Sequence, residues 1–180
     1  MLLVIDLEAT CDGGGQIPPE SMEIIEVGAV WAELDGYVID RFQAIVRPVM
    51  NPQLSNYCKD LIGITQAEVD AACTWPLIAK QLRSFAELHM STHQTWGSWG
   101  KYDYKQIGRD CVRHSVPNPL ENFEHINLKR QFAKARKIKE VGMLKALEMT
   151  GQKLEGAHHR GLDDAVNIAR LLPWSCVKSQ

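Results

Sequence analysis

The sequence predicts a mixed α/β fold, a five-stranded sheet flanked by helices whose first three strands include an antiparallel hairpin. Three observations carry this reading. An apolar run opens the chain at residues 1–10, and no amphipathic helix follows it. Two β-branched-rich runs, residues 22–34 and 37–46, flank Asp35-Gly36. Beyond them, short apolar runs alternate with stretches of helical periodicity. A doubly wound dinucleotide-binding sheet needs a helix after its first strand, whereas this chain offers Gly13-Gly14-Gly15 and Pro18-Pro19.

In the first strand, residues two apart share a face, so Asp6 and Glu8 project side by side at its carboxyl end. Open α/β sheets bind ligands at that edge. Two adjacent carboxylates repel, and a buried pair calls for a cation, so a divalent-metal site is expected here. The glycine triplet lacks P-loop spacing and reads as a linker. Asp35-Gly36 predicts a two-residue hairpin turn of the primed type, and Pro48 stops the returning strand.

Residues 51–60 read as a loop with a short helix. Thr65-x-x-Glu68 is a capping box that opens a helix over 65–72. The aliphatics in Leu61-Ile62-Gly63-Ile64 read first as a staple on the core, and second as a wedge under a base. Residues 75–90 are an amphipathic helix with Leu77, Ile78, Leu82, Phe85 and Leu88 on one face. A short strand over 93–99 precedes a helix to about residue 114, with Ile107, Cys111 and Val112 turned inward. Ile126 and Leu128 mark the last strand, and a helix follows over 129–136. The cluster Lys129, Arg130, Lys134, Arg136, Lys137 and Lys139 has no aromatic interleaving beyond Phe132 and reads as a solvated face. Helices over 141–150, closed by Gly151, and over 162–172, ended by Pro173, complete a single domain over 1–180.

Composition narrows the function classes. A net charge of −2 argues against a broad polybasic surface for long nucleic acid. Cys11, Cys58, Cys73, Cys111 and Cys176 are odd in number and contain no C-x-x-C, which suits free thiols in a reducing cytoplasm. The opening apolar run is short, lacks a basic start and is cut by Asp6, so neither a signal peptide nor a membrane span is expected.

Two further positions carry chemistry. Asp103 follows a predicted strand in Trp99-Gly100-Lys101-Tyr102-Asp103, where alone it would read as a helix N-terminal aspartate. His158-His159-Arg160-Gly161-Leu162-Asp163-Asp164-Ala165 opens the last helix. Five residues turn roughly 500° on a helix, so the histidine belongs to the preceding loop. His158 with Asp163 and His159 with Asp164 both fit.

Asp-x-Glu on the first strand, an aspartate after a mid-chain strand and His-x4-Asp near the end together resemble the DEDDh 3′–5′ exonucleases. The likeness extends over nearly the whole chain, toward the histone-mRNA 3′-exonuclease and KapD-like branch. It implies an RNase H-like sheet whose last two strands are parallel, with Asp6, Glu8, Asp103 and Asp164 holding two Mg²⁺ or Mn²⁺ ions. The family motif, whose last aspartate directly precedes a small residue, here Ala165, makes His159 the general base. Related sequences often carry an acid where Lys101 stands and a threonine where Ile62 stands. The resemblance implies release of nucleoside 5′-monophosphates from single-stranded 3′ ends, RNA in preference to DNA. Trp99, Ile62 and Ile64 are expected to wall the terminal base, with the amides of Leu7 and Ala9 near the nucleotide. Two rivals stand beside it. One is a regulatory protein that keeps the fold and acts by protein contact; the other is a polymerase proofreading subunit, disfavoured because no C-terminal tether is seen.

Overall fold

The structure, a computed structural model, describes residues 1–89 and 94–175. Met90 and His93, at the ends of two ranges given above, and Cys176 lie outside the described residues. The strands are β1 (Leu2–Ala9), β2 (Ile24–Ala32), β3 (Val38–Ile45), β4 (Thr95–Ser98) and β5 (Glu124–Asn127). They form one sheet in the order β3-β2-β1-β4-β5, antiparallel across β1–β2–β3 and parallel across β1–β4–β5. This is the mixed sheet expected from the sequence.

Seven helices pack around it among the described residues: α1 (Asn56–Ile62), α2 (Gln66–Ala71), α3 (Trp75–Glu87), α4 (Tyr102–His114), α5 (Leu128–Arg136), α6 (Met143–Met149) and α7 (Gly161–Ala169). The alternation along β1 explains the two-sided core. Leu3, Ile5 and Leu7 pack toward α3 and α4 through Ile78, Leu82, Phe85 and Ile107. Leu2 and Val4 pack toward α5, α6 and α7 through Phe132, Leu147 and Ile168. Asp6 and Glu8 continue the second face where its apolar packing ends.

Several local expectations are corrected. The hairpin loop has three residues, not two: Gly36 N–H donates to the Glu33 carbonyl at 3.0 Å, and Glu33 N–H donates to the Tyr37 carbonyl at 2.9 Å. Gly36 takes φ +92°, the left-handed position that such a loop requires. On α3, Leu77 and Leu88 are exposed, and the buried face is Trp75, Ile78, Ala79, Leu82, Phe85 and Ala86. A stripe drawn through large side chains overlooks the alanines that complete it. Val112 is exposed on α4. Leu128 belongs to α5 rather than the last strand, because the Asn127 side chain accepts the Arg130 N–H at 2.9 Å and starts the helix there. The final helix ends at Ala169, followed by a 3₁₀ turn over Leu172–Trp174.

The capping box is formed. Glu68 Oε2 accepts the Thr65 N–H at 2.7 Å, and Thr65 Oγ1 accepts the Glu68 N–H at 3.2 Å. No helix among the described residues is long and apolar enough to cross a membrane.

Candidate active site

A cleft of about 500 Å³ opens at the carboxyl edge of β1, lined among others by Asp6, Glu8, Trp99, Asp103, His159 and Asp164. Three elements bring its acids together. Asp6 and Glu8 stand on one face of β1, across from Gly28 and Glu26 of β2. Asp103 lies in the first turn of α4 and is buried; its Oδ1 accepts the Leu7 N–H at 3.1 Å. Asp164 lies in the first turn of α7, where Oδ2 accepts the His159 N–H at 3.0 Å. Ligand atoms of Asp6, Glu8 and Asp164 fall within 4.8 Å of one another, a group able to hold a metal ion.

Close backbone approach makes this convergence possible. A Cβ on Gly28 would lie 1.9 Å from the Gly161 carbonyl carbon, so only glycine in β2 lets the start of α7 rest on the sheet. Beside that contact, buried Glu26 accepts Arg160 Nη2 at 3.1 Å, Arg160 Nε at 3.2 Å and the Gly161 N–H at 3.1 Å. This ion pair bolts the histidine loop to β2. The sequence reading missed Glu26, Arg160, Gly28 and Gly161. Gly28 inside a β-branched run was the one available signal of close approach.

Electrostatically the cluster is over-charged. Burial drives the Asp6 carboxyl well above the usual range, reinforced by the nearby Asp103 and Glu8 charges. Burial and then Asp164 push Glu8 up to about 8. Burial raises Asp103 to about 6 against the hydrogen bonds that favour its charged form. Burial also raises Asp164, opposed by the His158 hydrogen bond. Among the described residues, no N–H or O–H donates to the Asp6 or Glu8 side chain. Hard oxygen ligands in excess, without donors to neutralise them, fit a divalent cation.

The two histidines differ. His158 Nδ1 sits 2.9 Å from Asp164 Oδ2, whereas no described residue hydrogen-bonds the His159 ring. The rings stack at 3.9 Å, and His159 holds φ +64°. Burial and the neighbouring His158 lower the His159 pKa, so its ring favours the neutral form that accepts a proton.

The expected base wall is only partly present. Trp99 lines the cleft, fixed by its Nε1–H donating to the Val141 carbonyl at 3.0 Å and by Phe132 at 5.6 Å. Ile62 reaches the cleft while buried with Ile25, Leu54, Cys58 and Val69. Ile64 is corrected: it is 1% exposed in that same cluster, does not line the cleft and serves the core. The Leu7 amide is engaged by Asp103, which leaves Ala9 as the backbone position at the cleft without that tie. Tyr102 and Met22, which the sequence reading passed over, also line it.

The family model described as exonuclease (RNase_T) matches residues 3–172. The human protein 3′-5′ exoribonuclease 1 is 34% identical over 94% of this chain, which covers only 50% of that protein's length. The probable 3′-5′ exonuclease KapD of Bacillus subtilis (strain 168) is 32% identical over 94% of this chain and 82% of its own. Among solved structures, the nuclease domain of 3′hExo, a DEDDh family member bound to rAMP, superposes with a TM-score of 0.86 at 34% identity. That match covers 94% of this chain and 88% of the other. A structure of a 3′-exonuclease in 3′-end-specific recognition of the histone mRNA stem-loop gives 0.85 at 33% identity, covering 94% and 78%.

Proposed function

The chain belongs to the RNase_T exonuclease family, and on that premise we propose that it is a metal-dependent 3′–5′ exonuclease. In this reading it releases nucleoside 5′-monophosphates from single-stranded 3′ ends, with RNA preferred to DNA. The observation that carries it is the pair Asp6 and Glu8 beside Asp164, carboxyls that receive no hydrogen bond at Asp6 or Glu8 from any described residue and whose ionisation the site opposes until a cation joins them.

Asp6, Glu8, Asp103 and Asp164 would hold two Mg²⁺ or Mn²⁺ ions. When bound, such ions polarise a water and stabilise charge on the phosphoryl oxygens. The remaining work falls to the protein. His159 takes the proton of the attacking water, a role supported by a ring to which no described residue hydrogen-bonds and by a lowered pKa that keeps it neutral near pH 7. His158 orients the Asp164 carboxylate. The Leu7 amide orients Asp103, and the Glu26–Arg160 pair sets the position of the His159 loop. Trp99, with Ile62 beside it, offers the apolar wall on which a terminal base stacks.

The RNA preference draws on relatives named as exoribonucleases and on the solved neighbour that recognises an mRNA stem-loop. It is tested by incubating 3′-labelled single-stranded RNA and DNA of one sequence with the protein, in Mg²⁺ or EDTA. The expected result is nucleoside 5′-monophosphate in Mg²⁺ alone, released faster from RNA. No metal-dependent product from either strand would return the chain to the regulatory reading.

A further inference from the structure

A second cleft of about 430 Å³ lies at the β5 edge of the sheet, walled by Lys101, His125, Asn127, Arg130, Gln131 and Lys134, with Glu124 the single acid among its lining residues. It runs along β5 from Glu124 at the strand's start to Asn127 at its end, and Lys101 joins it to the β4–α4 turn. That turn separates the two clefts: Trp99 faces the acidic cleft and Lys101, two residues on, faces the basic one. Arg130 and Lys134 stand one helical turn apart on α5, so their side chains share a face. Among the described residues, no carboxylate lies within ion-pair distance of Lys101, Arg130 or Lys134. The floor is rigid. His125 sits 4.5 Å from the Trp96 ring and 5.1 Å from the Tyr104 ring, and its Nε2 meets Ser98 Oγ at 3.0 Å.

The basic cluster of α5, read from sequence as one solvated face, therefore divides. Arg136 is structural, lying 5.4 Å over the Phe132 ring and donating to the Met149 carbonyl at 3.4 Å. Lys129, Lys137 and Lys139 line neither cleft. Only Arg130 and Lys134 converge with Lys101. Three cations outside ion-pair distance of any described carboxylate, with the amide side chains of Asn127 and Gln131 in the same lining, suit phosphate oxygens.

We infer that the cleft of Lys101, Arg130 and Lys134 binds the phosphodiester backbone of the substrate strand upstream of its 3′ end, the strand crossing the β4–α4 turn between the two clefts. The inference rests on the exonuclease reading for the orientation of the strand. Backbone contact through cations is insensitive to sequence, so the subsite raises affinity for long strands without selecting bases. It extends the enzyme's grip beyond the terminal nucleotide.

The test is binding of a 5′-fluorescein-labelled single-stranded 20-nucleotide RNA, followed by anisotropy in EDTA at several salt concentrations. Wild type is compared with the triple variant K101A/R130A/K134A and with a charge-matched control, K129A/K137A/K139A. The triple variant is expected to bind at least about tenfold more weakly at low salt, with a log Kd against log salt slope shallower by about 2. The control should stay within about twofold of wild type. Equal affinities for wild type and triple variant, or an equal loss in the control, would overturn the subsite. Because the measurement omits metal, it is independent of catalysis: a wild type that binds as expected but yields no monophosphate in Mg²⁺ refutes the exonuclease reading instead.

Discussion

Replacing Glu8 by glutamine should stabilise the metal-free protein while removing its nuclease activity. Glu8 is 9% exposed, and its carboxyl is pushed from 4.5 to about 8 by burial first and by Asp164 next. Its folded pKa lies above its unfolded one, so between those values the folded state holds a proton that the unfolded state releases. The stability tied to that proton is complete below about pH 4.5 and is lost as pH rises toward 8. At pH 7 the forfeit is on the order of 3 kcal/mol, at 1.36 kcal/mol per pKa unit. Glutamine carries no charge to bury, so Glu8→Gln recovers most of this. For a domain of this size that is a rise in Tm of about 6–12 °C. The assay is thermal unfolding at pH 7 in EDTA, repeated in excess Mg²⁺. Wild type should gain stability from the metal, and the variant's advantage should shrink or reverse. A variant that melts at or below wild type in EDTA would refute the claim that burial in the cleft opposes ionisation of Glu8.

Other outcomes follow from the same geometry. His159→Ala should lower kcat by about 10²–10⁴ while Mn²⁺ affinity, read by calorimetry, stays close to wild type. An equal loss of kcat from His158→Ala alone would transfer the proton-accepting role to that residue. Gly28→Ala would drive a methyl into the Gly161 backbone, so α7 must move; a loss of about 1–3 kcal/mol in urea unfolding and a collapse of activity are expected. Arg160→Ala removes the cation from the fully buried Glu26 carboxylate, leaving it the Gln43 amide and the Gly161 N–H as donors, and should cost about 3 kcal/mol, again by urea. Unaltered stability in Arg160→Ala would mean that the pair does not anchor the histidine loop.

The parts of the molecule that were legible in the sequence are those set by local periodicity. The shared face of Asp6 and Glu8 follows from a two-residue repeat, the α2 start from Thr65 and Glu68, and the antiparallel hairpin from two β-branched runs across Asp35-Gly36. The loop length was misjudged because Asp35-Gly36 suits a two-residue turn and a three-residue loop alike, and only the Glu33–Tyr37 pairing decides between them. Long-range contacts left little trace. Glu26 and Arg160 are 134 residues apart, and nothing in a strand glutamate announces a guanidinium partner. Ile64 shows the limit from the other side. Its exposure depends on how α1 and α2 close over Ile25 and Leu54, which residue type alone does not reveal. Asp103 was visible as a helix N-terminal acid, but its tie to the Leu7 amide spans 96 residues and belongs to the tertiary fold.

The central claim is that the acids at the end of β1 are a metal-dependent nuclease centre. It is tested most directly by comparing wild type with Asp6→Ala for Mn²⁺-stimulated release of nucleoside 5′-monophosphate from 3′-labelled single-stranded RNA. Asp6 lines the cleft rather than the apolar core and its side chain has no described hydrogen-bond donor, so the variant should remain folded. The account predicts turnover in wild type and none above the EDTA background in Asp6→Ala. Undiminished turnover in the variant would contradict it.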